Sequence, residues 1–176
     1  MSIKINYSNK LSSKSSVNHV LFVEENFNIS GLKNHISKNE FSYIHDLLKN
    51  SDLKKNLLFF EVNSKKTIFL VSIKKNLETS DIENLGAEFH SYINYNKKSE
   101  YFINSESISS KFENFLGYFL HGLKLKSYKF NVYKSKKDTK LISINVIRNK
   151  NKLSIQKELR FKSIEEGTFF ARDLVS

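Results

Sequence analysis

Five histidines, His19, His35, His45, His90 and His121, have the widest scope for metal or acid–base chemistry in a chain that has no cysteine. No two of them stand four residues apart, and no His-Glu-x-x-His or Asp-rich calcium loop occurs. A metal site needs three or four convergent donors, so these scattered imidazoles predict packing roles. His19 falls in a strand pattern and His121 near the end of a helix pattern. The segment Gly117-Tyr-Phe-Leu-His-Gly122-Leu-Lys124 has the outline of a phosphate loop and fails as one. Lys does not follow Gly122 directly, and no Ser or Thr follows the Lys. There is no Gly-x-Ser-x-Gly elbow. The paired acids Glu24-Glu25 and Glu165-Glu166 are adjacent and diverge on any regular backbone. No catalytic residue and no metal ligand is expected in this chain.

The cations form the other pattern. Residues 122–162 hold 13 Lys or Arg against Asp138 and Glu158, whereas residues 1–121 hold 15 against 13 acids, so the net charge of +11 is concentrated in one stretch. Within it Lys124, Lys126, Lys129, Lys134, Lys136, Lys137 and Lys140 interleave with Tyr128, Phe130 and Tyr133. Cations answer phosphates and rings stack on bases, so one reading is contact with nucleic acid or another acidic partner. Lys without Arg suits non-specific phosphate contact better than base readout. In the plainer reading the rings pack inward and the Lys stems cover the sheet edge.

These residues need elements to hold them. Ser2–Tyr7 alternates as a half-buried strand does, and the more continuously apolar Val17–Val23 predicts a central one. Phe41, Ile44 and Leu48 share a helix face over 41–49. Leu57–Val62 and Thr67–Ile73 predict a hairpin turning at Asn63-Ser-Lys-Lys66. Thr79-Ser-Asp81 can cap a helix with the stripe Ile82, Leu85, Phe89 and Ile93. Glu100–Asn104 and Leu141–Ile147 read as strands. Between them Ile108, Phe112, Phe115, Leu116, Phe119, Leu120 and Leu123 share one helix face, capped near Ser105–Ser107, with Gly122 expected to end the helix. Asn149–Lys152 breaks the chain, and 154–175 reads as a last helix. Segment 8–16 is expected to be a surface loop. Strands alternating with helices, plus one hairpin, predict an α/β fold with a mixed sheet covered by helices.

At 176 residues the chain has room for one domain with a sizeable core. Zero Pro, zero Trp and three Arg fit the drift of an AT-rich genome, which lowers the weight of the total Lys count. No apolar run reaches the roughly 20 residues of a membrane span, and the first residues lack a signal-peptide pattern, so a cytoplasmic location without a membrane partner is expected. The last helix keeps apolar Leu174 and Val175 with no capping Gly, Asn or Pro after them. The expectation is that it packs against a further domain.

Two segments carry a family resemblance. Residues 115–137 contain Gly122-Leu-Lys-Leu-Lys-Ser-Tyr-Lys-Phe-Asn-Val-Tyr-Lys134, and residues 166–174 read Glu-Gly-Thr-Phe-Phe-Ala-Arg-Asp-Leu. The first resembles the Gly-Leu-x-Leu-x-Ser-Tyr-x-Phe-x-x-Tyr-Lys stretch of leucyl (cytosol) aminopeptidases. The second is similar to the same family's Glu-Gly-x-x-x-Ala-Arg-Asp-Leu segment, which leads from the N-terminal domain into the catalytic one. Asp81–Phe89, with Leu85-Gly-Ala87, is similar to a mid-domain helix of that family.

The resemblance implies a three-layer, macro-domain-like α/β N-terminal domain over 1–150 and a connector helix over 151–176. It also implies a partner catalytic domain, hexameric assembly, and two divalent metals (zinc or manganese) that remove N-terminal amino acids from peptides. The family's metal ligands, including an Asn-Thr-Asp-Ala-Glu-Gly-Arg block, have no counterpart in these residues, so none is carried over. The matching positions Gly122, Tyr128, Tyr133, Lys134, Gly167, Ala171, Arg172, Asp173 and Leu174 are expected to be structural. Adjacent Arg172 and Asp173 point different ways on a helix, and each is expected to bond elsewhere, across to the further domain. A solvated Arg172 is the plain alternative.

Overall fold

The computed structural model describes residues 2–8, 18–95, 98–109, 113–129, 141–147 and 155–175. Apart from Ser8, the expected loop at 8–16 lies outside the described residues. So do Phe112, Phe130, Tyr133, Lys134, Lys136, Lys137, Lys140 and the break at 149–152.

Six strands, β1 (Ser2–Ser8), β2 (Asn18–Glu24), β3 (Leu57–Asn63), β4 (Lys66–Ile73), β5 (Glu100–Asn104) and β6 (Leu141–Ile147), form one sheet in the order β1-β6-β5-β2-β4-β3. Every neighbouring pair is parallel except the β3–β4 hairpin. The apolar run of β2 makes it an interior strand. Val20 and Phe22 face one core with helix α2 (Thr79–Tyr95) and helix α3 (Phe115–Ser127), while Leu21 and Val23 face a second core with helix α1 (Lys38–Leu48). Burial on both faces selects a continuously apolar strand over an alternating one. Each Phe or Leu hidden this way contributes about 1.5–3 kcal/mol before entropy is counted. The result is a three-layer α/β fold, as the alternation predicts.

Local chemistry sets the element ends. Ser37 Oγ accepts from the Glu40 amide at 3.3 Å while the Ser37 amide donates to Glu40 Oε2 at 2.9 Å, a capping box that starts α1. The Asn63 side chain accepts from the amides of Lys65 and Lys66, both at 2.9 Å, and closes the hairpin. Helix α2 begins at Thr79, with Asp81 Oδ2 accepting from the Glu78 amide at 2.9 Å. The expected Thr-Ser-Asp cap therefore lies inside the first turn. The stripe Ile82, Leu85, Phe89 and Ile93 is buried as expected.

The helix predicted from Ile108 onward is shorter at one end and longer at the other. Ser105–Ser107 is a 3-10 turn, and α3 starts only at Phe115, after Asn114 in the left-handed region at φ 61°. Gly122 does not end the helix, which continues to Ser127. Its role is a close approach: a Cβ at Gly122 would sit 1.9 Å from the Glu83 carbonyl oxygen on α2. In the same crossing, a Cβ at Gly86 of α2 would sit 1.9 Å from the Phe119 carbonyl oxygen. The final helix, α4 (Ile155–Val175), packs on α3.

Candidate docking site at the α3–α4 junction

Helix α3 is apolar nearly all round because it has neighbours on two sides. Phe115, Phe119 and Leu123 join the core with α2, and the side bearing Tyr118, His121 and Tyr128 meets α4. The answering residues on α4 are Phe161, Glu165, Phe169 and Arg172, spaced four, four and three apart, which is one face of a helix.

Phe161 stands edge-on to the Tyr118 ring at 5.1 Å and lies 5.3 Å from the His121 ring, and Phe169 lies 5.3 Å from Tyr128. Such ring pairs contribute about 0.5–1.5 kcal/mol beyond their burial. The Tyr128 hydroxyl donates to Asp173 Oδ1 at 2.6 Å, Arg172 Nη1 donates to the Leu125 carbonyl at 2.8 Å, and the guanidinium lies 5.4 Å from the Tyr128 ring centre. Arg172 therefore satisfies the Leu125 carbonyl in the last turn of α3 and stacks on the ring that follows the helix. This corrects two expectations: Arg172 and Asp173 find partners within this chain, and Arg172 is not simply solvated.

His121 is expected near a helix end and instead sits well inside α3, its side chain 5% exposed. Nδ1 lies 3.4 Å from Glu165 Oε1 on α4, and Nε2 lies 3.8 Å from Glu83 Oε1 on α2. One imidazole thus bridges three helices. Among the described residues no group of three or more His, Cys, Asp or Glu could hold a metal. The zinc or manganese pair of the resembled family has no fitting donors here. What the arrangement does is hold a helix in place.

Of the lysines singled out in the basic stretch, Lys124, Lys126 and Lys129 lie among the described residues. Lys124 donates its ammonium to the Ile3 carbonyl at 2.8 Å and ties α3 to the edge strand β1. Lys126 and Lys129 are exposed. They lie within electrostatic reach of His90, whose pKa is lowered first by burial and then by these two cations. Of the family-matching positions, Gly122, Tyr128, Arg172 and Asp173 gather around α3 and its junctions. Gly167 faces outward with open space around it. Sequence reading singles out neither Glu83 nor Phe161, and for Phe161 the face spacing on α4 is the signal that could have found it.

A second feature lies at the carboxyl ends of β2 and β4, where open α/β sheets take ligands. A cleft of about 430 Å³ is lined there by Glu24, Glu25, Asn26, Lys74 and Lys75. Asn26 and Phe27 take left-handed backbone at φ 59° and 54° beside it. It mixes both signs of charge and has no Gly-rich phosphate loop.

Fold and site together define a helix-docking α/β domain with no catalytic constellation among the described residues. Solved structures that share this fold include leucine and cytosol aminopeptidases and a bottromycin maturation enzyme. A point mutant of tomato leucine aminopeptidase superposes with a TM-score of 0.62 at 14% identity, covering 95% of this chain and 36% of its own. The bottromycin maturation enzyme BotP, in complex with Mn, gives 0.60 at 11% identity, covering 92% and 32%. Cytosol aminopeptidase from Coxiella burnetii gives 0.57 at 12% identity, covering 97% and 33%. This chain therefore resembles part of that fold and spans about a third of the length of those proteins. No family model matches the chain, and no curated protein does.

Proposed function

We propose that this chain is the non-catalytic N-terminal domain of a leucyl-aminopeptidase-like protein, with residues 1–150 forming the domain and 151–176 the connector toward a catalytic domain. The observation that carries this reading is the fold match over 95% of this chain against 36% of the tomato enzyme. The Glu166–Leu174 segment adds to it. In the whole assembly the catalytic domain would hold two divalent metals, zinc or manganese, and release N-terminal amino acids from peptides in a cytoplasmic hexamer. This chain would contribute binding surface and assembly, and hydrolyse nothing alone. The nucleic-acid reading gains nothing from the described residues, since Lys124 is already engaged with Ile3.

The test is isolation of the native protein from its source cells with an antibody raised against this chain, followed by mass measurement and a leucyl-p-nitroanilide assay with added manganese. Capture together with a catalytic aminopeptidase region, in the same polypeptide or a bound one, supports the proposal. A 20.6 kDa species with no associated aminopeptidase activity overturns it.

A further inference from the structure

We propose that the free edge of β3 docks an extended segment of a partner protein, apolar at its centre and acidic at both ends, which adds a further strand to the sheet. The proposal goes beyond the aminopeptidase reading and does not depend on it.

Strand β3 ends the sheet order, so only its β4 side is paired. The ladder fixes which backbone groups the other side presents. The Ser72 amide donates to the Asn56 carbonyl at 2.8 Å, and the register runs Leu57↔Val71 to Glu61↔Thr67. Residues 56, 58 and 60 therefore exchange bonds with β4, while Leu57, Phe59 and Glu61 aim their N–H and C=O groups outward. The Tyr43 hydroxyl on α1 donates to the Glu61 carbonyl at 3.3 Å, as an outward carbonyl allows. That bond is long and exposed, so an incoming amide can take its place. Sheets commonly blunt such an edge with Pro or several charges. Here the strand reads Leu-Leu-Phe-Phe-Glu-Val-Asn, with one charge and no Pro.

The groups along the edge state what fits. Donors and acceptors repeating at every second residue match extended backbone, as in strand addition. On one face α2 runs beside β3: Asn56 Nδ2 donates to Glu88 Oε2 at 3.3 Å, and the Tyr92 ring stands edge-on to Phe59 at 5.9 Å. Tyr95 lies three residues beyond Tyr92 and is 92% exposed, and Phe59 is 45% exposed. On the other face α1 brings Tyr43, 44% exposed. Rings on both faces call for apolar side chains at the centre of the added strand.

The ends are cationic. Lys54 and Lys55 stand just before β3 and Lys65 just after it, all exposed, and none is in an ion pair among the described residues. Acids flanking an apolar centre answer both ends. A second copy answers them poorly. Two-fold pairing about Phe59 would lay Lys54 and Lys55 beside the other copy's Lys65, in a chain of net charge +11.

The probe is a capped, fluorescein-labelled peptide, Asp-Glu-Val-Thr-Val-Thr-Val-Glu-Asp, read by fluorescence polarisation against the full chain at low salt. A range of about 1 to 500 µM spans the weak end of the affinity scale. Saturable binding is expected. The same peptide N-methylated on its fourth and fifth residues keeps its charge but loses a donor on each side, and should bind at least about tenfold more weakly. A version with Lys in place of all four acids should lose as much. Glu61→Pro removes an outward amide hydrogen and leaves the β4 ladder whole, so it should weaken binding at least about fivefold, whereas Glu61→Gln should not weaken it. Lys54→Glu combined with Lys55→Glu, both in an exposed turn, should weaken it about tenfold. Circular dichroism verifies that each variant is folded. No binding, equal binding of the N-methylated or lysine-ended peptide, or binding indifferent to both Glu61→Pro and the Lys54 and Lys55 reversal overturns the proposal. The last result would put the peptide on lysines elsewhere. A dimer in sedimentation velocity that Glu61→Pro abolishes, with no peptide bound, would overturn it in favour of a second copy.

Discussion

Gly86 and Gly122 set the separation of α2 and α3. A Cβ on either glycine would stand 1.9 Å from a backbone carbonyl oxygen of the opposite helix. Two backbones meet there with no side chain between them, and that contact brings Phe89 and Phe119 into one core with their ring centres 5.8 Å apart.

The sign of a glycine substitution is therefore fixed by packing. Ala is the better helix former by about 1 kcal/mol, so a freely exposed site would gain stability from Gly→Ala. Gly122→Ala and Gly86→Ala should instead each lose about 3 kcal/mol or more, because backbone cannot move aside as a flexible side chain can. Urea unfolding checks this, and Gly167→Ala, in open space, is the control that should be neutral or stabilising.

The Tyr128–Asp173 hydrogen bond should be measurable as a coupling. Tyr128→Phe and Asp173→Ala are each expected to cost about 1 kcal/mol, and the double variant less than their sum. Additive losses in a double-mutant cycle would show that the two side chains do not act on each other.

His19 gives a pH dependence with a defined sign. Burial first, and the neighbouring Lys66 second, push its pKa down to about 4, while Glu40 pulls it up. The unfolded chain binds a proton near 6.5, and the folded chain does so only near 4. Stability contributed by the neutral ring is thus fully present above 6.5 and lost as pH falls from 6.5 to 4. The total at stake is about 3 kcal/mol. His90 shifts in the same direction and adds to the loss. Stability curves for the unaltered chain and for His19→Gln should converge as pH falls through this window. Parallel curves would remove His19 from the account.

Tyr101 predicts a gain. Its ring packs edge-on against Phe69 and Phe89, and its hydroxyl is buried with no hydrogen-bond partner among the described residues. Burial alone pushes the phenol up to about 12. Tyr101→Phe keeps the ring contacts and removes the unpaired group, so it should leave stability unchanged or raise it by about 1 kcal/mol. A loss above that in thermal unfolding would show that the hydroxyl is bonded in solution.

Much of the fold was legible from local pattern. The apolar run of β2, the hairpin at Asn63, the α2 stripe and the extent of α4 follow from which residues must be hidden and which turn residues close a loop. The misreadings have a common cause. A glycine that ends a helix and a glycine that admits a neighbouring helix are the same letter, and the pattern around Gly122 suggests the former while the structure shows the latter. The apolar spacing starts α3 too early because Ile108, although packed against the core, lies before the helix begins.

The candidate site divides along the same line. Its residue types near Tyr128 and Arg172 could be singled out from the sequence, and their partners could not. Asp173 is 45 residues from Tyr128, and Glu165 is 44 residues from His121. Periodicity reports the burial of a residue relative to its own helix or strand, so the sequence by itself determined the elements and their apolar faces. Which face meets which depends on how closely two backbones can cross. The tertiary structure decided that at Gly86 and Gly122, and by docking one side of α4 on α3 it left the other side of that helix bare.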